Sequence, residues 1–277
     1  MHYFSEFILP DIPPALFWSF CALSVIIQGI SKSGFAGGAG ILSLPLMMIV
    51  MPVDKVAATL LPILIFADMN AIYHHWHNKV WRLVLIIFIP SLLGAIPALL
   101  LWDYVGKEGI EHYGVFIKVP TGILAVIFAL YILAKEMSMK WVQGRKAGLK
   151  TGIVCGVAAG FTSTLIHAAG PIVSLFMFSQ DLGKTFFTGT VAWTFALINA
   201  TKFPFYCLIN LIDLRVMLFS LVLLPLVPVG SWLGKWMHDH VSESAFNWVV
   251  LVLTLLFGIQ LVFNVNIFQI ALASAVR

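Results

Sequence analysis

Gln28-Gly29-Ile30-Ser31-Lys32-Ser33-Gly34-Phe35-Ala36-Gly37-Gly38-Ala39-Gly40 spans the junction of two apolar runs, 12–31 and 35–51, which only Ser31-Lys32-Ser33-Gly34 separates. Glycine lets the chain take strained angles and brings its amides close to a ligand. In hydrocarbon no water can satisfy the backbone groups that a break sets free, so a broken helix must line an enclosed cavity. A half-helix starting near Ala39 would aim its free N–H groups and the positive end of its dipole at that cavity, which suits an anion.

The rest of the chain places this stretch in a membrane. Hydrophobic residues make up 61% of the 277, charged residues 10%, and mean hydropathy is +1.00. A soluble surface needs roughly 25% charged residues, so this exterior faces lipid. At about 20 residues per span, there is room for roughly eight to ten apolar segments. They fall at 12–31, 35–51, 56–75, 81–102, 113–134, 148–163, 165–179, 185–209, 214–237 and 245–268. Four of them, the first, second, sixth and seventh, are read as short for a full span, and short interrupted segments at matching places in two halves point to broken or re-entrant helices. The expected fold is all-α and polytopic. It comprises a first transmembrane repeat at 1–135, a cytoplasmic linker at 136–150 and a second repeat at 151–277.

Self-similarity supports the division. Gly34-Phe35 recurs as Gly160-Phe161, Pro45 as Pro171 and Asn70 as Asn199, while Gly94 with Ala98 resembles Gly230 with Gly234. An odd number of crossings per half inverts the second repeat, the plan of many secondary transporters. The small-residue pairs suit close helix crossings.

Loop charge sets orientation. The 135–150 loop carries Lys135, Lys140, Arg145, Lys146 and Lys150 against Glu136, and Lys79 and Arg82 flank another loop. Both are expected in the cytoplasm. Asp103, Glu108 and Glu111 suit the opposite side, which puts the N-terminus in the periplasm of a cell inner membrane. Met1 to Pro14 has no Lys or Arg and no signal-peptide pattern, and is expected to be retained. Cys21, Cys155 and Cys207 read as small buried apolar residues.

The candidate anion site draws on both breaks. From the first come Ser31, Lys32, Ser33, Gly34, Gly37, Gly38 and Gly40; from the second come Thr162, Ser163, Thr164, His167 and Gly170. Asn199 and Lys202 lie inside the run 185–209 and join the candidates for substrate binding, because an intramembrane ammonium usually faces a cavity. Asp68, in the corresponding run of the first half, could pair with a lysine or relay protons that couple transport. Tyr73-His74-His75-Trp76-His77 reads as an interfacial belt rather than a metal site. No Walker A loop and no Gly-x-Ser-x-Gly elbow occurs, so direct ATP drive and serine hydrolysis find no support. No cofactor, metal or catalytic residue is expected. The partners expected are a small anionic solute and membrane lipid, with self-association left open and nucleic acid excluded.

Gly34-Phe35-Ala36-Gly37-Gly38-Ala39-Gly40-Ile41-Leu42-Ser43-Leu44-Pro45, followed by Ala57-Ala58-Thr59 and a short basic loop, resembles the TauE/SafE family of sulfite exporters. The resemblance extends over nearly the whole chain. It implies a non-enzymatic exporter of sulfite, organosulfonates or related small anions across the bacterial inner membrane. An anion uptake permease and a histidine-ligated membrane enzyme are the alternatives.

Overall fold

The computed structural model describes residues 6–10, 12–34, 38–109, 114–137 and 147–263. Gly37, His112, Glu111 and most of the basic 135–150 loop lie outside them. Every regular element among the described residues is helical. The first half holds α1 (Pro14–Gly34), a 3-10 turn (Gly38–Leu42) running into α2 (Ser43–Met47), α3 (Val53–His74), α4 (Trp81–Glu108) and α5 (Val115–Glu136). The second holds α6 (Leu149–Ile166), α7 (Gly170–Phe178), α8 (Lys184–Leu208), α9 (Leu214–Leu223), α10 (Leu226–His240) and α11 (Glu243–Val262).

Five helices, α1, α3, α4, α5 and α6, are long and apolar enough to cross a membrane. The pair α9–α10, bent by 41°, brings the number to six if the two are one broken span. Burial confirms the bilayer as solvent. Large apolar side chains such as Leu93, Leu100, Leu208 and Val249 point outward, while Asp68, Asn199 and Lys202 are buried. Apolar side chains also fill the core, so the outer face is as apolar as the interior, and intramembrane polar groups face the interior because lipid cannot solvate them. Of the three cysteines only Cys21 is buried; Cys155 is half-buried and Cys207 exposed, since a thiol is apolar enough to meet lipid.

Small residues set the closest crossings. α4 packs along α6, α1 along α10, and α5 along α11. A Cβ on Gly94 would lie 1.9 Å from the Val157 oxygen, and one on Gly160 1.9 Å from the Ser91 oxygen. Across the other crossing, Gly230 would meet the Ile26 oxygen at 2.3 Å and Gly29 the Val227 oxygen at 2.6 Å. Backbones this close gain the dispersion contacts that hold helices together where lipid offers no hydrophobic drive. The packing role expected for Gly94, Gly230 and Gly234 is the one seen. α3 packs against α8, and these two helices carry Asp68, Asn199 and Lys202.

Candidate functional site

The first break begins later than its polarity suggests. Ser31, Lys32, Ser33 and Gly34 form the last turn of α1 rather than a separator. The Ser31 hydroxyl accepts the Gly40 amide at 2.7 Å, and the Gln28 side-chain amide donates to the Gly40 carbonyl at 3.0 Å. These two bonds pin the chain beyond the break back onto α1. They also take up the Gly40 N–H, which therefore does not point free at a ligand as the half-helix reading expected. Ser33 is directed away: its hydroxyl donates to the Gly29 oxygen at 2.8 Å and to the Ser231 oxygen of α10 at 2.9 Å.

Lys32 turns inward. Its Nζ lies 2.5 Å from Asp68 Oδ1 and 4.1 Å from the centre of the Phe195 ring. The other Asp68 oxygen accepts from Asn199 Nδ2 at 2.6 Å. Both carboxylate oxygens are thus satisfied at a position with no exposure, as a buried charge requires. Residues of α1, α3 and α8 meet in this one cluster.

The second break is sharper. Thr162, Ser163 and Thr164 belong to the last turns of α6, and the chain leaves the helix at His167. His167 has φ 55°, in the left-handed region. That conformation costs a non-glycine residue about 1–2 kcal/mol, and residues held this way cluster at functional sites. Here it carries the ring inward, with Nε2 2.8 Å from the Ala57 oxygen and Nδ1 3.2 Å from Lys202 Nζ. A carbonyl can only accept, so Nε2 carries the proton and Nδ1 accepts from the lysine. The imidazole assigned by this network is neutral.

Lys202, only 2% exposed, donates to the Ser163 carbonyl and hydroxyl, both at 2.9 Å, as well as to His167. Its three hydrogens meet three neutral acceptors, which leaves the Ser163 hydroxyl proton free to turn elsewhere. The Thr164 carbonyl, near the end of α6, accepts from Trp102 Nε1 at 3.1 Å and from the Tyr206 hydroxyl. Thr162 bonds back to the Ala158 oxygen at 2.9 Å. The Thr164 hydroxyl is buried without a partner.

Both breaks close on one cavity of about 20 Å³, on the scale of a single ordered water. Lys32, Gly40, Ser163, His167, Gly170 and Asn199 line it, with Gln28 and Phe195. Asp68, Lys202 and Ser31 stand one hydrogen bond behind the wall. Ser33, Thr162 and Thr164 are not on it: Ser33 bonds across to α10, Thr162 bonds back along α6, and the Thr164 hydroxyl is buried off the lining. α7 begins at Gly170 with Pro171 next, so its first-turn amides and dipole also point at the cavity. Gln28, Trp102, Phe195 and Tyr206 complete the site and were not among the expected residues. Only Gln28, a lone amide inside an apolar run, carried a signal.

A second feature lies at the end of α3. Lys79 Nζ sits 5.3, 5.5 and 5.0 Å from the ring centres of Trp76, Trp81 and Trp193, and bonds to the Trp76 carbonyl. The Val80 amide donates to Thr190 Oγ1 at 3.1 Å, so the α3–α4 turn is fastened to the start of α8. Among the described residues, no three His, Cys, Asp or Glu side chains come together in a way that could hold a metal ion.

A family model described as Sulfite exporter TauE/SafE matches residues 21–261. No match was found among curated proteins or among solved structures.

Proposed function

We propose, because the chain belongs to the TauE/SafE family, that it is a secondary transporter exporting a small oxyanion, sulfite or an organosulfonate, across the inner membrane. One observation carries this reading: two helix breaks far apart in sequence share a buried cavity where Lys32, Ser163 and Asn199 converge. Lys32 offers the ammonium hydrogens that Asp68 does not take, Asn199 a second amide hydrogen, and Ser163 a hydroxyl polarised by Lys202. Several donors around one point match the fork of oxygens on a sulfonate or sulfite. The cavity is tighter than such an ion, so loading must part its walls.

The same proposal takes the two halves as repeats of opposite topology. Its support is the packing: α4 on α6 answers α1 on α10, and α4 on α8 answers α9 on α3. Gly29 against Val227 and Gly230 answers Gly160 against Ser91. This register sets Gly29, rather than Gly34, opposite Gly160. It also sets Asp68, rather than Asn70, opposite Asn199, each at the same distance from the start of its helix. The N-terminus is proposed to be periplasmic, on the basic loops that the positive-inside rule holds in the cytoplasm.

Sulfite and methanesulfonate should each raise the melting temperature of the purified protein and move across proteoliposomes that contain it. Ser163→Ala should weaken both effects. A wild-type protein that neither binds nor moves any anion of this class would end the proposal.

A further inference from the structure

We propose that the cavity is a site for singly charged oxyanions, and that a doubly charged one binds only together with a proton on Asp68. This rests on the anion-transport reading above and adds a rule for which anions it admits.

The rule comes from counting the buried charges. Two ammonium groups, Lys32 and Lys202, stand at the site, both largely or wholly out of solvent. One carboxylate, Asp68, faces Lys32 at 2.5 Å. His167 adds nothing, since its Nε2 donates to the Ala57 oxygen and its Nδ1 accepts from Lys202. Asn199, Gln28 and Ser163 are neutral. With both lysines protonated, the sum is one uncompensated positive charge.

Its location is equally specific. Lys32 already has its carboxylate. Lys202 has only a carbonyl, a hydroxyl and an imidazole nitrogen. An unpaired charge in a low-dielectric interior is costly, and a partner of opposite sign removes that cost. A monoanion in the cavity neutralises the cluster. A dianion leaves it one unit negative, unless Asp68 takes up a proton. In that case the loaded cluster is again neutral, and one proton has joined the dianion.

Asp68 is placed for that proton. Lys32 reaches it from α1 and Asn199 from α8, with Lys202 behind Asn199 on the same helix and His167, just past the end of α6, beyond it. Once protonated, its hydroxyl could donate toward the cavity while Lys32, released from the pair, turns its charge onto the dianion. The proton binds to a carboxylate oxygen and no other bond changes.

The test uses the purified wild-type protein with methanesulfonate as the monoanion and sulfate as the dianion, by calorimetry in two buffers of different ionisation heat. Methanesulfonate should bind at least tenfold more tightly and without proton uptake. Sulfate should bind with uptake of about one proton. Asp68→Asn should move the preference at least tenfold toward sulfate and abolish the uptake. Equal proton uptake for the two anions, or tighter sulfate binding with none, overturns the rule. If Asp68→Asn does not fold, the wild-type proton count decides alone. Failure of both anions to bind the wild-type protein removes the anion site itself, whereas binding of both with equal affinity and no proton removes only the charge rule.

Discussion

The two breaks share one cavity and are built on different principles. At the first, the described charged and amide groups find partners within the protein: Lys32 with Asp68, Asp68 with Asn199, and Gly40 with Ser31 and Gln28. At the second, the backbone is held in a costly conformation at His167, and the hydrogen-bond partners of Lys202 are all neutral. One side is a finished structure, and the other is short of one negative charge. A solute site needs both: a rigid frame to define position and an unmet demand to define affinity. In a symmetric pair of helix breaks neither job would have an owner.

Substitutions can break that contrast or sharpen it. The largest expected effect is Lys32→Met. It strands the Asp68 carboxylate in a buried place and should cost about 3–5 kcal/mol of stability, seen as a large fall in melting temperature in detergent. The double variant Lys32→Met with Asp68→Leu should recover most of that loss without recovering transport. Lys202→Met should do the opposite. Stability should hold or rise, while anion affinity falls about a hundredfold, or about 2.7 kcal/mol. If Lys202→Met unfolds the protein and Lys32→Met does not, the roles assigned to the two breaks are reversed.

Ser31→Ala is the next in size. It leaves the buried Gly40 amide without its acceptor, which should cost about 1–3 kcal/mol and make the break more accessible to hydrogen exchange. The smallest effect separates two changes at one position. Asparagine tolerates the left-handed region and alanine does not, so His167→Asn should be more stable than His167→Ala by about 1 kcal/mol. Both should lose anion affinity alike, because neither side chain spans from the Ala57 carbonyl to Lys202.

Much of the fold was legible because hydropathy reports lipid contact directly. The run 56–75 is α3 (Val53–His74), and 185–209 is α8 (Lys184–Leu208). Polarity misplaced the breaks by a few residues. Ser33 and Thr162 bond back to carbonyls of their own helices, so a hydroxyl in hydrocarbon need not end a helix. The run 214–237 hid the 41° bend between α9 and α10, where the apolar character continues through the corner. Lys202 could equally have been drawn toward an interface by its long stem, and only the packed structure puts its ammonium on Ser163. The Lys32–Asp68 and Asp68–Asn199 bonds join residues from three helices, so no local pattern foretold them. The left-handed turn at His167 left no trace either, since histidine is not the residue that usually marks such a turn.

The lysine ringed by three indoles has an optical consequence. Trp193 rides on the same helix as Asn199, so a displacement of that helix relative to the α3–α4 turn on loading would shift its indole against Lys79. Tryptophan emission responds to a charge shifting nearby, and the native chain therefore contains its own dye. Recorded in a stopped-flow mixer against an added anion, the intensity change would time the opening of the cavity without any label attached.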